Sequence, residues 1–215
     1  MLAAIIPVKT LAVAKGRLAG VLAAPERRAL VLAMLGDVLA TLVKTRGVDR
    51  IGVISADATV LARAAALGAE PLIDRAPDLN AALAQAAAHY AALGATATLV
   101  MPADVPLIAA EEIERMIALR VTRGIVIAPS RDGGTNALLT RPPLALPFLF
   151  GPQSRERHLQ AAREYGVDAR IFQSRGLGLD VDRPDDLLLL AELAGDTAAQ
   201  QLARELMVCE RVACV

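Results

Sequence analysis

The segment Ala97-Thr-Leu-Val-Met-Pro-Ala-Asp104-Val-Pro-Leu107 constrains the fold more than any other part of the chain. It opens with a short apolar run bounded by Pro and Asp, the pattern of a strand buried on both faces of a parallel sheet. Pro102 and Pro106 have no N–H to donate, so they end the ladder. Asp104 then falls just past the strand's carboxyl end, the edge of an open α/β sheet where ligands bind. A carboxylate held between two prolines suits a metal ion; it equally suits a tight strand-to-helix turn.

Upstream, strands alternate with helices. Leu2 to Val8 reads as the first strand, and the loop after it concentrates three cations, Lys9, Lys15 and Arg17, around Gly16. A positive loop in that position handles phosphates in many α/β folds. The spacing is neither a P-loop nor a dinucleotide fingerprint, and a solvated basic loop is the alternative. Pro25 opens a long helix whose Leu30, Met34, Val38 and Leu42 recur at helical spacing. Arg50 to Ser55 is a second strand, Thr59 to Leu67 a helix, and Glu70 to Ile73 a third strand. Asp78 is expected to cap the next helix, and Asn80, at the same helix start, to contact a nucleotide.

Beyond Asp104, Glu111 and Glu112 complement the start of a helix expected to run to about Arg123, where Gly124 stops it. Ile125 to Pro129 is a strand that delivers Ser130-Arg-Asp-Gly-Gly-Thr-Asn136. Gly133 and Gly134 make a loop whose N–H groups can face an anion. Asn136 to Thr140 turns back as an antiparallel strand or hairpin arm, and Ser154 is expected to cap the helix Arg155 to Tyr165. Phe148, Phe150 and Phe172 suggest a local packed sub-core, and Val167 to Phe172 a late strand. Asp180 and Asp182 are two apart on an extended segment and so point to one face. Two carboxylates aimed at one place repel unless a cation sits between them. An N-cap role before Arg183-Pro184 would explain Asp182 but not Asp180. The expected architecture is a single α/β domain over 1–195, Rossmann-like with a mostly parallel sheet flanked by helices, followed by a helical tail over 196–215.

Charge and cysteine usage narrow the function. The chain has 215 residues, with 23 basic and 23 acidic side chains and a formal net charge of zero, which disfavours a nucleic-acid binder with a broad basic face. Cys209 and Cys214, both near the end, form neither a disulfide framework nor a zinc site, so a reducing cytoplasm is expected. Charges or prolines interrupt every apolar run before membrane-spanning length, and the N-terminus lacks the basic start of a signal peptide. His89 and His158 have no second histidine or cysteine at ligand spacing and read as surface or packing residues.

Taken in order, Ile6-Pro-Val-Lys9, Ala14-Lys15-Gly-Arg17-Leu18, the Met101 to Leu107 run, Ala128 to Leu139, Phe150-Gly-Pro-Gln-Ser154 and Leu179-Asp180-Val-Asp182 to Leu187 resemble the guanylyltransferases of deazaflavin-coenzyme biosynthesis, over residues 1–193. The resemblance implies a nucleotidyltransferase fold of the molybdenum-cofactor guanylyltransferase type. It implies transfer of GMP from GTP to the phosphate of a three-carbon acid, with a downstream transferase as pathway partner. Phosphoenolpyruvate is the expected acid, with 2-phospho-L-lactate and 3-phosphoglycerate as alternatives. By carry-over, Thr135, Gly151 and Ser154, with Gly133 and Gly134, hold the acid. Asp104, Asp180 and Asp182 bind Mg2+, and Lys9, Lys15 and Arg17 bind the triphosphate. Lys15 and Asp104 are the expected catalytic pair. The chemistry needs no general base, because the nucleophile is a phosphate already largely ionised. Another acceptor on the same fold, a glycosyltransferase using Asp180-Val-Asp182, a non-catalytic GTP sensor, and a homodimer through the tail remain alternatives at this point.

Overall fold

The computed structural model describes residues 1–119 and 121–213, with side chains described through residue 207. The elements alternate as read: β1 (Leu2–Pro7), α1 (Ala24–Lys44), β2 (Arg50–Ser55), α2 (Ala58–Ala66), β3 (Glu70–Ile73), α3 (Leu79–Ala92) and β4 (Ala97–Val100). Then come α4 (Ala110–Ala118), β5 (Gly124–Pro129), β6 (Thr135–Arg141), α5 (Ser154–Glu164), β7 (Asp168–Ile171), α6 (Pro184–Glu192) and α7 (Ala198–Ala213). Seven strands form one sheet in the order β3-β2-β1-β4-β6-β5-β7. Only β6 is reversed, running antiparallel to both β4 and β5.

Strand alternation builds two cores. In β1, Leu2, Ala4 and Ile6 face one layer while Ala3 and Ile5 face the other. The first layer holds α1, α2, α4, α6 and α7; the second holds α3 and α5. The polar Thr98 and Thr140 sit directly opposite across β4 and β6 and hydrogen-bond at 2.7 Å, which satisfies both hydroxyls inside the sheet. Helix α7 contributes Ala199, Ala203 and Leu206 to the first core, and Asp37 of α1 accepts the N–H groups of Ala198 and Ala199 at its start. Cys214 and the side chain of Cys209 lie outside the described residues. Among the described residues, no helix is long and apolar enough to cross a membrane.

Beyond shifts of a residue or two at most element ends, three local readings change. Helix α4 ends at Ala118, not near Arg123: Leu119 leaves the helical region with ψ 72°, Val121 turns into the core, and Gly124 starts β5 instead of merely stopping a helix. Ser154 is the first residue of α5 and not its cap, because Gln153 occupies the cap position in a left-handed conformation. Nor does Asp182 cap α6. Asp186 Oδ2 accepts the N–H of Asp182 (3.1 Å) and of Arg183 (2.8 Å), so the Asp182 carboxylate is spared.

The topology gathers three loops at one edge. The carboxyl ends of β1, β4 and β5 lie together, and reversal of β6 places its first residue, Thr135, opposite Pro129 at that same edge.

Candidate active site

The cationic loop after β1 is held by its own packing. Asp57 caps α2 and also accepts the N–H of Leu11 at 2.9 Å, pinning the loop's start. Leu18 is fully buried and anchors a short 3-10 turn over Gly16–Leu18. Lys15 precedes this turn with φ 53°, a backbone conformation that non-glycine residues seldom adopt. Its side chain is only 8% exposed, and the ammonium lies 2.6 Å from Asp104 Oδ2 and 3.5 Å from Asp182 Oδ1. Arg17, largely exposed, reaches the other oxygen of Asp182 at 2.5 Å. Lys9, Lys15 and Arg17 line a cavity of about 700 Å³ with Asp78, Asp104 and Asp182, over an apolar floor of Val31, Met34 and Ile54. That volume lies within the range of small-molecule sites.

The loops that carry the aspartates are bonded together. Asp104 O accepts the N–H of Val181 at 2.9 Å, which sets the 180–182 segment against the end of β4. Asp180 accepts a hydrogen bond from Asn136 Nδ2 at 3.2 Å, and the same amide donates to Leu177 O at 2.6 Å. Burial pushes the Asp180 carboxyl above its ordinary pKa against the Asn136 bond, and the charges of Asp104 and Asp132 add to the rise. Asp104 Oδ1 is buried without a hydrogen-bond donor. A carboxylate oxygen in that condition suits a cation, and the hard oxygen donors of Asp104 and Asp180 suit Mg2+ or Mn2+. Among the described residues, no three His, Cys, Asp or Glu side chains converge closely enough to form a metal cage. The Lys15 ammonium stands between Asp104 and Asp182 instead.

Against this cluster lies a glycine loop. Gly133, with φ 84°, closes the turn that returns Ser130 to Gly134. A Cβ at Gly134 would fall 2.6 Å from Ser130 Oγ, so a larger residue there would displace the Ser130 hydroxyl from Asp132. Ser154 N donates to Gly151 O (3.1 Å) and Arg155 N to Gly133 O (3.4 Å), bringing the first turn of α5 against the loop. Gly133, Gly134, Thr135, Gly151 and Ser154 thus lie in adjoining turns. Asn80 does something else: its Nδ2 donates to Phe150 O (3.2 Å) and its Oδ1 accepts the Phe150 N–H (2.8 Å). Its amide ties α3 to the segment that carries Gly151 and does not line the cavity.

The sequence from residue 2 to residue 211 matches the family described as "Guanylyl transferase CofC like". The chain belongs to this guanylyltransferase family. A phosphoenolpyruvate guanylyltransferase of Roseiflexus castenholzii is 46% identical over 205 residues, covering 95% of each chain. A 2-phospho-L-lactate guanylyltransferase of Methanothermobacter thermautotrophicus is 38% identical, covering 94% of this chain and 90% of that one. A 3-phospho-D-glycerate guanylyltransferase of Colwellia psychrerythraea is 34% identical, covering 88% and 91%. Among solved structures, a protein described as a nucleotide-diphospho-sugar transferase from Desulfovibrio desulfuricans superimposes with a TM-score of 0.81 at 17% identity, over 98% of this chain and 97% of that one. A Mycobacterium tuberculosis protein crystallised with manganese gives 0.61 at 21% identity, over 90% and 99%. At these identities the structures establish the nucleotidyltransferase fold.

Three residues of this guanylyltransferase escaped the sequence reading. Asp132 joins the cluster through a hydrogen bond from Ser130 and one from Gly134 N; the Ser130 bond chiefly, and the Arg17 charge last, hold its carboxyl below the usual range. Its only sequence signal was its place in the Ser-Arg-Asp-Gly-Gly run. Glu112 was assigned to a helix dipole, yet it collects hydrogen bonds from Ser174, Arg175 and Gly176 and so fixes the loop leading to Asp180. His158, read as a surface or packing residue, is fully buried, and its spacing gave no sign of its bond to Thr135.

Proposed function

We propose that the chain transfers GMP from GTP to the phosphate of phosphoenolpyruvate and releases pyrophosphate, in a magnesium-dependent cytoplasmic step of deazaflavin-coenzyme biosynthesis. The observation that carries this reading is the Lys15–Asp104–Asp182 junction, because it lines the cavity that would take the nucleotide and is bonded through Val181 to the segment whose Asp180 meets Asn136, next to the loop that would take the acid. The 46% identity to a phosphoenolpyruvate guanylyltransferase supports the choice of acid.

An oxygen of the acid's phosphate attacks the α-phosphorus of GTP, a new P–O bond forms, and the α–β bridge breaks to release pyrophosphate. Both partners are anions, so the barrier is chiefly electrostatic. Lys15, Arg17 and Lys9 would neutralise the triphosphate and the departing pyrophosphate. Gly133, Gly134, Gly151 and the N-terminal turn of α5 would receive the acid by N–H donors, with Thr135 and Ser154 adding hydroxyls. Asp104 and Asp180, with Asp182, would hold Mg2+. Bound there, the ion would draw charge from both phosphates. Release of Asp182 to that task requires Lys15 to leave it for the phosphates.

Pyrophosphate release tests the reading directly. GTP and Mg2+ are offered with phosphoenolpyruvate, 2-phospho-L-lactate or 3-phosphoglycerate, with the downstream transferase present to trap a labile product. Release with phosphoenolpyruvate and GTP, but not with ATP or CTP, is expected. Preference for another acid would replace the acceptor; no release with any acid would overturn the reaction.

A further inference from the structure

His158 plays no part in the reaction as described, yet its surroundings fix where its proton is. The ring is wholly excluded from solvent. Nε2 lies 3.0 Å from the backbone nitrogen of Leu149, which can only donate, so Nε2 accepts. A neutral imidazole that accepts at Nε2 carries its hydrogen on Nδ1. Burial, helped by the charge of Arg157, keeps the ring neutral by lowering its pKa to about 4. Nδ1 in turn lies 3.2 Å from Thr135 Oγ1. The Ser154 carbonyl is a second acceptor for the Nδ1 hydrogen. With the hydrogen on Nδ1 the threonine hydroxyl cannot donate to the ring, so its own hydrogen is left for another partner.

We propose that His158 is a positioning residue for the acceptor: by donating from Nδ1 to Thr135 Oγ1, it commits the threonine hydroxyl to donate to an anionic oxygen of the phosphorylated acid. This rests on the placement of Thr135 in the acceptor site given above. With the opposite tautomer the hydroxyl would donate to the ring and turn a lone pair toward the anion. The Leu149 bond is therefore what selects the useful polarity. It acts from the same 148–151 strap that Asn80 holds at Phe150, so strap position and hydroxyl polarity are set together.

Two conservative variants separate the two bonds. An asparagine amide reaches about as far as Nδ1, so His158→Asn keeps a donor for Thr135 and gives up Leu149. A glutamine amide reaches about as far as Nε2, so His158→Gln keeps an acceptor for Leu149 and gives up Thr135. Steady-state pyrophosphate release gives KM for phosphoenolpyruvate and for GTP. Thr135→Val and His158→Gln should each raise the phosphoenolpyruvate KM by roughly tenfold or more, the worth of a hydrogen bond to a charged group, and leave the GTP KM unchanged. His158→Asn should raise the phosphoenolpyruvate KM less than His158→Gln, and His158→Gln should add nothing in a Thr135→Val background. Equal losses in the Asn and Gln variants, or a wild-type KM in His158→Gln alongside a raised KM in Thr135→Val, would overturn the proposal alone. An unchanged KM in Thr135→Val would overturn the acceptor-site placement beneath it. Long-range proton–nitrogen NMR of the 15N-histidine wild-type protein reads the tautomer without any variant: the Nδ1–H form is expected, and the Nε2–H form would refute the relay.

Discussion

The ammonium of Lys15 bridges the carboxylates of Asp104, at 2.6 Å, and Asp182, at 3.5 Å, so one cation joins the loop after β4 to the segment before α6. Both carboxylates are about a quarter to a third exposed, while the lysine is nearly buried. Removing the cation leaves two like charges with only Arg17, out in solvent, to offset them. Lys15→Met should therefore destabilise the fold by about 2 kcal/mol, less than a fully buried pair would lose. It should also slow turnover by about 100-fold or more, through the lost stabilisation of charge on the leaving group. Denaturant unfolding and initial rates on one preparation measure both, and wild-type turnover in Lys15→Met would remove the residue from the reaction.

The donor-free Asp104 Oδ1 carries the second prediction. Chelation should abolish pyrophosphate release, and Mg2+ or Mn2+ should restore it. Asp104→Asn, which puts an amide where a charged oxygen stood, should cost about 3 kcal/mol of barrier, roughly 100-fold in rate. Calorimetric titration with Mn2+ should find weaker binding in the variant. Equal binding and turnover in folded Asp104→Asn would exclude this aspartate as a ligand.

Glu112 predicts an effect on the site from a residue outside it. Oε1 accepts from Ser174 Oγ at 2.7 Å, Arg175 N at 3.0 Å and Gly176 N at 3.2 Å, and Oε2 accepts Ala109 N at 3.2 Å. Partial burial opposes the charge, but these bonds outweigh it and hold the carboxyl below its ordinary pKa. A Cβ at Gly176 would fall 2.8 Å from Ile108 Cα, so the loop backbone packs directly on the segment before α4. Glu112→Ala should lose about 1 to 3 kcal/mol of stability by stranding these donors. It should lower kcat as well, because the freed loop leads to Asp180. A stability loss with kcat intact would mean that the Asn136 bond alone holds Asp180.

The alternation of strands and helices was legible because each element repeats one local rule. Arg50 to Ser55 and Glu70 to Ile73 keep the bounds read from the sequence. Asp78 caps α3 as its position before that helix predicts. What was not legible depends on side chains choosing among partners distant in sequence. Asn80 sits where a ligand contact is expected, but the backbone of Phe150, seventy residues on, takes its amide. A cap stays open as the alternative for Asp182 until Asp186, in the first turn of α6, takes the two N–H groups. His158 carries no motif at all; its meaning comes from Leu149 and Thr135 meeting it from opposite sides.

That same histidine makes the protein sensitive to mild acid. In the unfolded chain its pKa is about 6.5, while burial first, and Arg157 second, lower it to about 4 in the fold. Between those values the unfolded state binds more protons, so stability falls as pH falls. The contribution is fully present above the unfolded value. It is lost at about 1.4 kcal/mol per pH unit, reaching about 3 kcal/mol near the folded value. Asp180 works in the opposite sense, since its raised pKa lets the folded state take a proton first. It is present in wild type and in His158→Gln alike and cancels from their difference. Denaturant unfolding of both proteins at several pH values from about 4 to 7 should find the variant's stability flatter with pH, converging on wild type toward the acid end. Parallel curves would mean that the buried ring accepts its proton as readily as an exposed one, and that its neutral form is not what the fold selects.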